Sequence, residues 1–155
     1  MEAMLKKKEI EEKTESILEP IASRHGVVIY DVEYVKEAGE WYLRAYIDRE
    51  GGVDIDKCVD VSHDLSDELD RLDMIEEAYT LEVSSPGLGR RLWKDRHLSY
   101  SLGEEVEATF YDPNTADRGG VLRAFDRDTV TIETDDGQQM LDRKDISSIR
   151  LKLDI

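Results

Sequence analysis

The apolar positions of residues 2–24 predict an amphipathic helix. Its apolar face repeats with a period near 3.6 residues and consists of Ile10, Ile17, Leu18 and Ile21. Pro20 lies within this pattern and lacks a backbone donor, so we expect a kink or a break there. Gly26 is the predicted residue beyond the helix end, because glycine readily adopts the left-handed conformation that ends many helices.

The next two segments alternate apolar and polar side chains with a period of two. In residues 27–36 the predicted covered face is Val28, Tyr30, Val32 and Tyr34, and the opposite face is Asp31 and Glu33. In residues 41–48 the predicted covered face is Trp41, Leu43, Ala45 and Ile47, and the opposite face is Tyr42, Arg44, Tyr46 and Asp48. Such alternation is typical of a sheet with one covered side and one wet side. The short connector at residues 37–40 contains a glycine and predicts a hairpin.

Helical spacing returns between residues 54 and 72. Asp54 is the predicted N-cap, because its carboxylate can accept from the free amides of the first turn. The apolar stripe that would cover the sheet is Cys58, Val61, Leu65, Leu69 and Leu72. Residues 79–84 predict a third strand, with Tyr79, Leu81 and Val83 on one face. This order gives an α+β fold, with an N-terminal αββαβ domain whose helices lie on one face of a three-stranded sheet.

The rest of the chain alternates short strands with turns. A short helix is predicted around Asp95 to Tyr100, with Asp95 as its cap, and five strands follow in residues 104–111, 119–126, 128–135, 138–142 and 147–155. Asp136-Gly137 between two alternating segments is a strong hairpin signal. We expect a small β-barrel of SH3-like or OB-like type and favour the SH3-like β-barrel. The stretch SSPGLGRRL at residues 84–92 marks the boundary, which predicts domains at 1–92 and 93–155.

Charge narrows the choice of partners. The chain has 37 acidic and 21 basic residues, a net charge of −16. Both halves are acidic, with 12 basic and 23 acidic residues up to Leu92 and 9 and 14 after it. Nucleic-acid binders usually carry a basic footprint, so free RNA or DNA is not expected as the sole partner. A basic protein partner fits this field, although a charge that serves only solubility fits the sign equally well.

No arrangement of residues predicts catalysis or a bound cofactor. The single cysteine, Cys58, cannot form an intramolecular disulfide and is interpreted as a small core residue. His25, His63 and His97 show no metal-ligand spacing, and no nucleophile is accompanied by a base. No stretch approaches the ~20 apolar residues of a membrane span, and the N-terminus lacks the apolar segment of a signal peptide. We therefore predict a cytoplasmic protein that is not an enzyme and has no cofactor, metal, membrane contact or small-molecule substrate.

Two segments resemble a known family. They are YIDREGGVDIDKC at residues 46–58 and YTLEVSSPGLGRRL at residues 79–92, of which EVSSPGL is the most specific part. Both closely resemble the RimP family of ribosome maturation factors. The family's stretch usually reads SSPGLDRPL, so Gly89 and Arg91 depart from it.

The resemblance implies a function. A RimP-like protein binds the free small (30S) ribosomal subunit and assists its late assembly without catalysis. The resemblance also implies that the barrel contacts a basic ribosomal protein near the decoding region. Contact with ribosomal RNA and a monomeric state are further expectations. Two alternatives are a small RNA-binding adaptor and an enzyme of unrecognised type. The adaptor could use the barrel, or it could use Tyr42 and Tyr46 beside Arg44 as a stacking platform, although cross-strand packing is the favoured reason for those tyrosines.

One motif is the predicted place of ribosome contact. It consists of Ser84, Ser85, Pro86, Gly87, Leu88, Arg90 and Arg91. The proline and glycine permit a sharp turn, and the arginines suit bidentate contact with phosphate oxygens. The alternative is an inter-domain turn whose serines only satisfy backbone groups.

Overall fold

The computed structural model describes residues 6–87 and 90–152. Its helices are α1 (Lys7–His25), α2 (Ile55–Leu72) and α3 (Asp95–Tyr100). Its strands are β1 (Val28–Glu37), β2 (Glu40–Asp48), β3 (Tyr79–Ser84), β4 (Glu105–Phe110), β5 (Arg118–Phe125), β6 (Thr129–Thr134), β7 (Gly137–Asp142) and β8 (Ile146–Leu151). The chain divides into two compact units, Met1–Pro86 and Gly87–Ile155. The predicted α+β fold class is confirmed.

Helix α1 follows its predicted apolar face and ends where predicted. Ile10, Leu18 and Ile21 are buried, and Gly26 has a φ of 69° beyond the last turn. The predicted break at Pro20 is wrong, because α1 continues through this exposed proline. Burial of apolar side chains on both sides of the proline stabilises the two halves of the helix as one element. Residues 2–5 of the predicted helix lie outside the described residues.

The first unit is built on a three-stranded sheet in the order β1-β2-β3. Strand β2 pairs antiparallel with β1 and parallel with β3, because α2 crosses over between β2 and β3. Leu43, Ala45 and Ile47 of β2 are fully buried, as the alternation predicts. Val61, Leu65 and Leu69 of α2 cover them. The predicted cap of α2 is confirmed, since Asp54 accepts from the Lys57 amide at 2.8 Å.

Two details of the first unit differ from the sequence pattern. A register shift between Ile29 and Asp31 places Val28 opposite Asp48 and leaves it 50% exposed, so its predicted face is wrong. Asp31 lies opposite Tyr46 on the face predicted for it, but it is buried there. One extra residue in a strand reverses the faces on one side of the shift. Leu72 is 42% exposed and does not belong to the covering stripe, because α2 ends at this residue.

The second unit contains a five-stranded antiparallel sheet in the order β7-β6-β5-β4-β8. Leu98, Val106, Leu122, Ile132 and Ile149 are among the residues of its own apolar core. All five strands overlap the predicted segments, although β5, β7 and β8 each begin one residue earlier than predicted and Leu153 of the last segment lies outside the described residues. The SH3-like barrel stays an interpretation of this sheet.

Helix α3 has the predicted bounds but a different cap. Lys94, and not Asp95, occupies the N-cap position. The buried His97 accepts through Nδ1 from the amides of Trp93 and Lys94, each at 3.3 Å, and so holds the two residues that lead into the helix. The predicted domain limits, 1–92 and 93–155, stay predictions, and Leu92 is buried in the core of the second unit. Within residues 6–87 and 90–152, no helix is both long and apolar enough to cross a membrane.

Candidate functional site

The predicted contact motif starts at the end of β3. Ser84 and Ser85 are exposed, Pro86 is half-buried, and Gly87 has a φ of 82°, which favours glycine. Ser84, Ser85 and Pro86 belong to the first unit and Gly87 to the second. Leu88 lies outside the described residues, as does Gly89. The hydroxyls and the arginines of the motif are therefore presented by different units.

The end of the motif is fixed against the second sheet. The Leu151 amide donates to the Arg90 carbonyl at 3.1 Å, and the Leu92 amide donates to the Ile149 carbonyl at 2.7 Å. Arg91 forms an isolated antiparallel bridge with Arg150 between these two bonds. Residues 90–92 thus continue the sheet beyond β8, and the arginines project from a supported backbone.

Arg91 and Arg150 make an unusual cross-strand pair. Directly opposite residues of an antiparallel bridge point to the same face, and two like charges there are destabilising. Arg91 is exposed, and its Nη2 donates to the Ser147 carbonyl at 3.2 Å. Glu107 lies opposite Arg150 on β4, which offsets part of the repulsion. A bound anion between the guanidinium groups would offset more of it.

Basic residues are concentrated next to this pair. Residues 90–96, named here the basic segment, contain four basic residues and one acidic residue in a chain of net charge −16. The acidic residue, Asp95, is itself paired with Arg143 at 2.8 Å. The sequence motif ended at Arg91, so Lys94 and Arg96 were not predicted as site residues, although their spacing was visible in the sequence.

Aromatic rings accompany two of these cations. The Arg90 guanidinium lies 5.8 Å from the centre of the Tyr100 ring, and the Lys94 ammonium lies 4.8 Å from the centre of the Trp93 ring. The Trp93 side chain is 56% exposed. An exposed indole beside basic side chains is suited to stacking on a nucleobase or on another cation.

On the first sheet, the face that carries Tyr42, Arg44 and Tyr46 contains a network of ion pairs. Arg44 is paired with Glu37 at 2.8 Å and with Glu82 at 2.6 Å, and its guanidinium lies 4.7 Å from the Tyr42 ring centre. The hydrogen bond from Arg44 lowers the pKa of Glu37. Two carboxylates already neutralise the arginine. The contacts therefore favour cross-strand packing as the role of Tyr42 and Tyr46 over the stacking of RNA bases.

The three histidines lie in three separate environments. His25 Nε2 is hydrogen-bonded to Asp64 Oδ2 at 2.7 Å, and this bond lowers the pKa of Asp64. His97 caps α3, and the exposed His63 lies on α2. In the part of the chain that the structure describes, no group of three or more His, Cys, Asp or Glu residues could hold a metal ion.

Cys58 is half-buried at the edge of the first core. Burial is the main cause of a raised pKa of its thiol, and the charge of Asp54 raises it further. A thiol with a raised pKa is a poor nucleophile at neutral pH, since the thiolate is the reactive form. The position agrees with its interpretation as a small core residue.

A comparison with known protein families finds a match for most of the first unit. Residues 17–89 match the family model of the RimP N-terminal domain. The match runs from within α1 through β3 and ends inside the predicted contact motif. The chain therefore belongs to the RimP family, and it is a non-catalytic maturation factor of the 30S ribosomal subunit.

Proposed function

We propose that this protein binds the 30S subunit through the basic segment and the adjoining motif Ser84, Ser85, Pro86, Gly87, Leu88, Arg90 and Arg91. The observation that carries the proposal is the pairing of Arg91 with Arg150 across the sheet. Two guanidinium groups on opposite positions of a bridge repel each other, and Glu107 offsets part of that repulsion, whereas a bound phosphate group would add charge-assisted contacts to both. The phosphates of ribosomal RNA supply such a group on the subunit.

The surrounding charge restricts how the protein approaches the particle. A net charge of −16 repels RNA phosphates over most of the surface, so the basic segment is the favourable point of RNA contact. The acidic remainder suits basic ribosomal proteins, which lie between the RNA helices of the subunit. We therefore propose a mixed contact, with RNA phosphates at the basic segment and a basic ribosomal protein on an acidic face.

Binding of this kind assists assembly without bond making or breaking. A protein that binds one conformation of an immature subunit more tightly than another shifts the population toward the first. We propose that the protein acts in this way as a monomer in the cytoplasm, where small subunits mature.

Sedimentation with separated ribosomal particles tests the proposal. We expect the protein to co-sediment with 30S subunits and not with 50S subunits or intact ribosomes. The Arg91→Glu variant should bind 30S subunits at least about ten-fold more weakly, and the slope of log affinity against log salt should fall by about 1, because one phosphate contact is lost.

Arg127→Glu is the matched control. Arg127 is exposed in the turn between β5 and β6 and lies outside the basic segment, so the same change of charge there should leave the affinity unchanged. Equal binding of Arg91→Glu and wild type would contradict the proposed contact. Co-sedimentation with none of the particles would contradict the proposed binding as a whole.

A further inference from the structure

The outer edge of β3 is open. Strand β3 pairs with β2 on one side and is the last strand of its sheet. Among the described residues, no backbone group of Tyr79–Ser84 makes a hydrogen bond beyond that sheet. An open edge is a template for one more strand, and natural proteins usually protect such edges.

At the opposite edge of the same sheet, side chains occupy backbone amides of β1. On β1, the Val32 amide donates to Asp31 Oδ1 and the Tyr34 amide donates to Glu11 Oε2, both at 2.8 Å. Two amides of that strand thus already have carboxylate acceptors. The contrast makes β3 the edge at which another chain could pair.

An apolar cleft of about 750 Å³ runs beside β3. Ile55 and Val59 of α2 lie on one side of the cleft, and Leu81 and Val83 of β3 lie on the other. Ile55 is 81% exposed and Val59 50% exposed, and their four-residue spacing places both on the same side of the helix. A strand added to β3 could cover these two side chains with its alternate residues.

The acidic residues around the cleft indicate which kind of segment could be added as a strand. The cleft is lined by the carboxylates of Asp54 and Glu82, by His63 and by no lysine or arginine, and the Glu82 carboxylate is already paired with Arg44. Asp56 and Asp60 are exposed on the same half of α2. An acidic border around an apolar floor complements a segment that alternates apolar and basic residues.

We propose that β3 accepts an extended, basic segment of a 30S ribosomal protein as a fourth strand, with its apolar side chains in the cleft beside Ile55 and Val59. This inference rests on the proposed binding to 30S subunits and adds a protein contact by the first unit. A second contact made by the same chain would act at high effective concentration and would strengthen the binding through the basic segment.

Hydrogen–deuterium exchange of the full chain, alone and with purified 30S subunits, tests the edge directly. We expect the backbone amides of residues 79–84 to exchange at least ten-fold more slowly in the complex, because the open edge becomes paired. Residues 28–37 of the protected edge should not change. Unchanged exchange of residues 79–84 in a protein that binds 30S subunits would overturn the inference and leave the proposed function intact. Failure of the wild type to bind 30S subunits would overturn both.

A pair of valine variants tests the cleft. Val59→Lys removes an apolar contact from the cleft. It also places a positive charge where the basic side chains of the added strand would bind, so the affinity for 30S subunits should fall at least ten-fold. Val28→Lys is the matched control, because Val28 is also 50% exposed but lies on β1. Equal affinities of the two variants would count against the cleft.

A photo-crosslinking amino acid at position 59 identifies the occupant. We expect crosslinks to a lysine- and arginine-rich protein segment in complexes with 30S subunits. Crosslinks to ribosomal RNA would assign the cleft to another class of partner. Crosslinks between two copies of the chain, together with exchange protection that rises with protein concentration, would assign it to self-association. Either result would overturn the proposed occupant.

Discussion

At the scale of single residues, His25 and Asp64 join the end of α1 to the middle of α2. The hydrogen bond from His25 holds the pKa of Asp64 below its ordinary value of 3.8. A carboxyl group whose pKa is lower in the folded protein stabilises the fold at pH values above its ordinary pKa. This stabilisation is lost as the pH falls through the lowered pKa.

Asp64→Asn tests this linkage. The variant should have a lower free energy of unfolding than wild type at pH 6, and the difference should shrink as the pH falls below 3.8. Urea unfolding at a series of pH values measures it. Asp60→Asn, an exposed change on the same helix, is the control and should follow the wild-type curve. A constant difference between Asp64→Asn and wild type across this range would contradict the expected role of the bond.

The candidate site was partly visible at this scale. Arg90 and Arg91 stand out in the sequence because they follow a proline- and glycine-containing stretch. Arg150 could not be predicted, since nothing local shows that a residue 59 positions later lies opposite Arg91. Long-range pairing depends on the whole sheet, so the like-charge pair becomes visible only in the folded chain.

At the scale of elements, the pairing of β5 with β6 depends on a glycine. A Cβ atom at Gly120 would lie 2.8 Å from the Glu133 carbonyl oxygen, which is too close for a carbon atom. At neighbouring Gly119 the nearest atom, the Val106 carbonyl oxygen, would be 3.6 Å away, an ordinary contact. The two glycines therefore differ in how closely another strand approaches.

Alanine at each position separates these cases. Gly120→Ala should lower the free energy of unfolding by about 1–3 kcal/mol, because the backbone of β6 must move. Gly119→Ala should change it by less than about 1 kcal/mol. Denaturant unfolding of the two variants measures the difference. Equal losses would show that the close approach does not limit this pairing.

Elements were predictable where a pattern was local. The alternation in β2 assigned Leu43, Ala45 and Ile47 to the core correctly, because a regular strand has a fixed period. The face of Val28 was missed because the register shift at Ile29 has no turn residue or glycine to mark it. The cap of α3 was missed because a histidine inside the helix, His97, provides it in place of Asp95.

At the scale of the whole molecule, each unit has its own apolar core and its own tryptophan. Trp41 packs against the core of the first unit, and Trp93 lies at the start of α3 in the second. Fluorescence of variants that retain one tryptophan, Trp93→Phe or Trp41→Phe, therefore reports on one unit at a time.

We expect separate unfolding transitions for the two units. Leu65→Ala, at a fully buried position of the first core, should lower the stability reported by Trp41 by about 2–5 kcal/mol and leave that reported by Trp93 unchanged. Leu122→Ala, buried in the second core, should do the reverse. Equal shifts of both signals by either variant would contradict independent domains and the predicted division of the chain.

The position of Cys58 has a practical consequence for following this protein on the ribosome. It is the single thiol of the chain, and it lines the cleft beside β3. Its raised pKa keeps the thiolate fraction small, so alkylation of the thiol is slow. The wild-type protein therefore needs no added label. The rate at which Cys58 is alkylated, measured by mass spectrometry, reports whether the cleft is filled at each stage of subunit maturation.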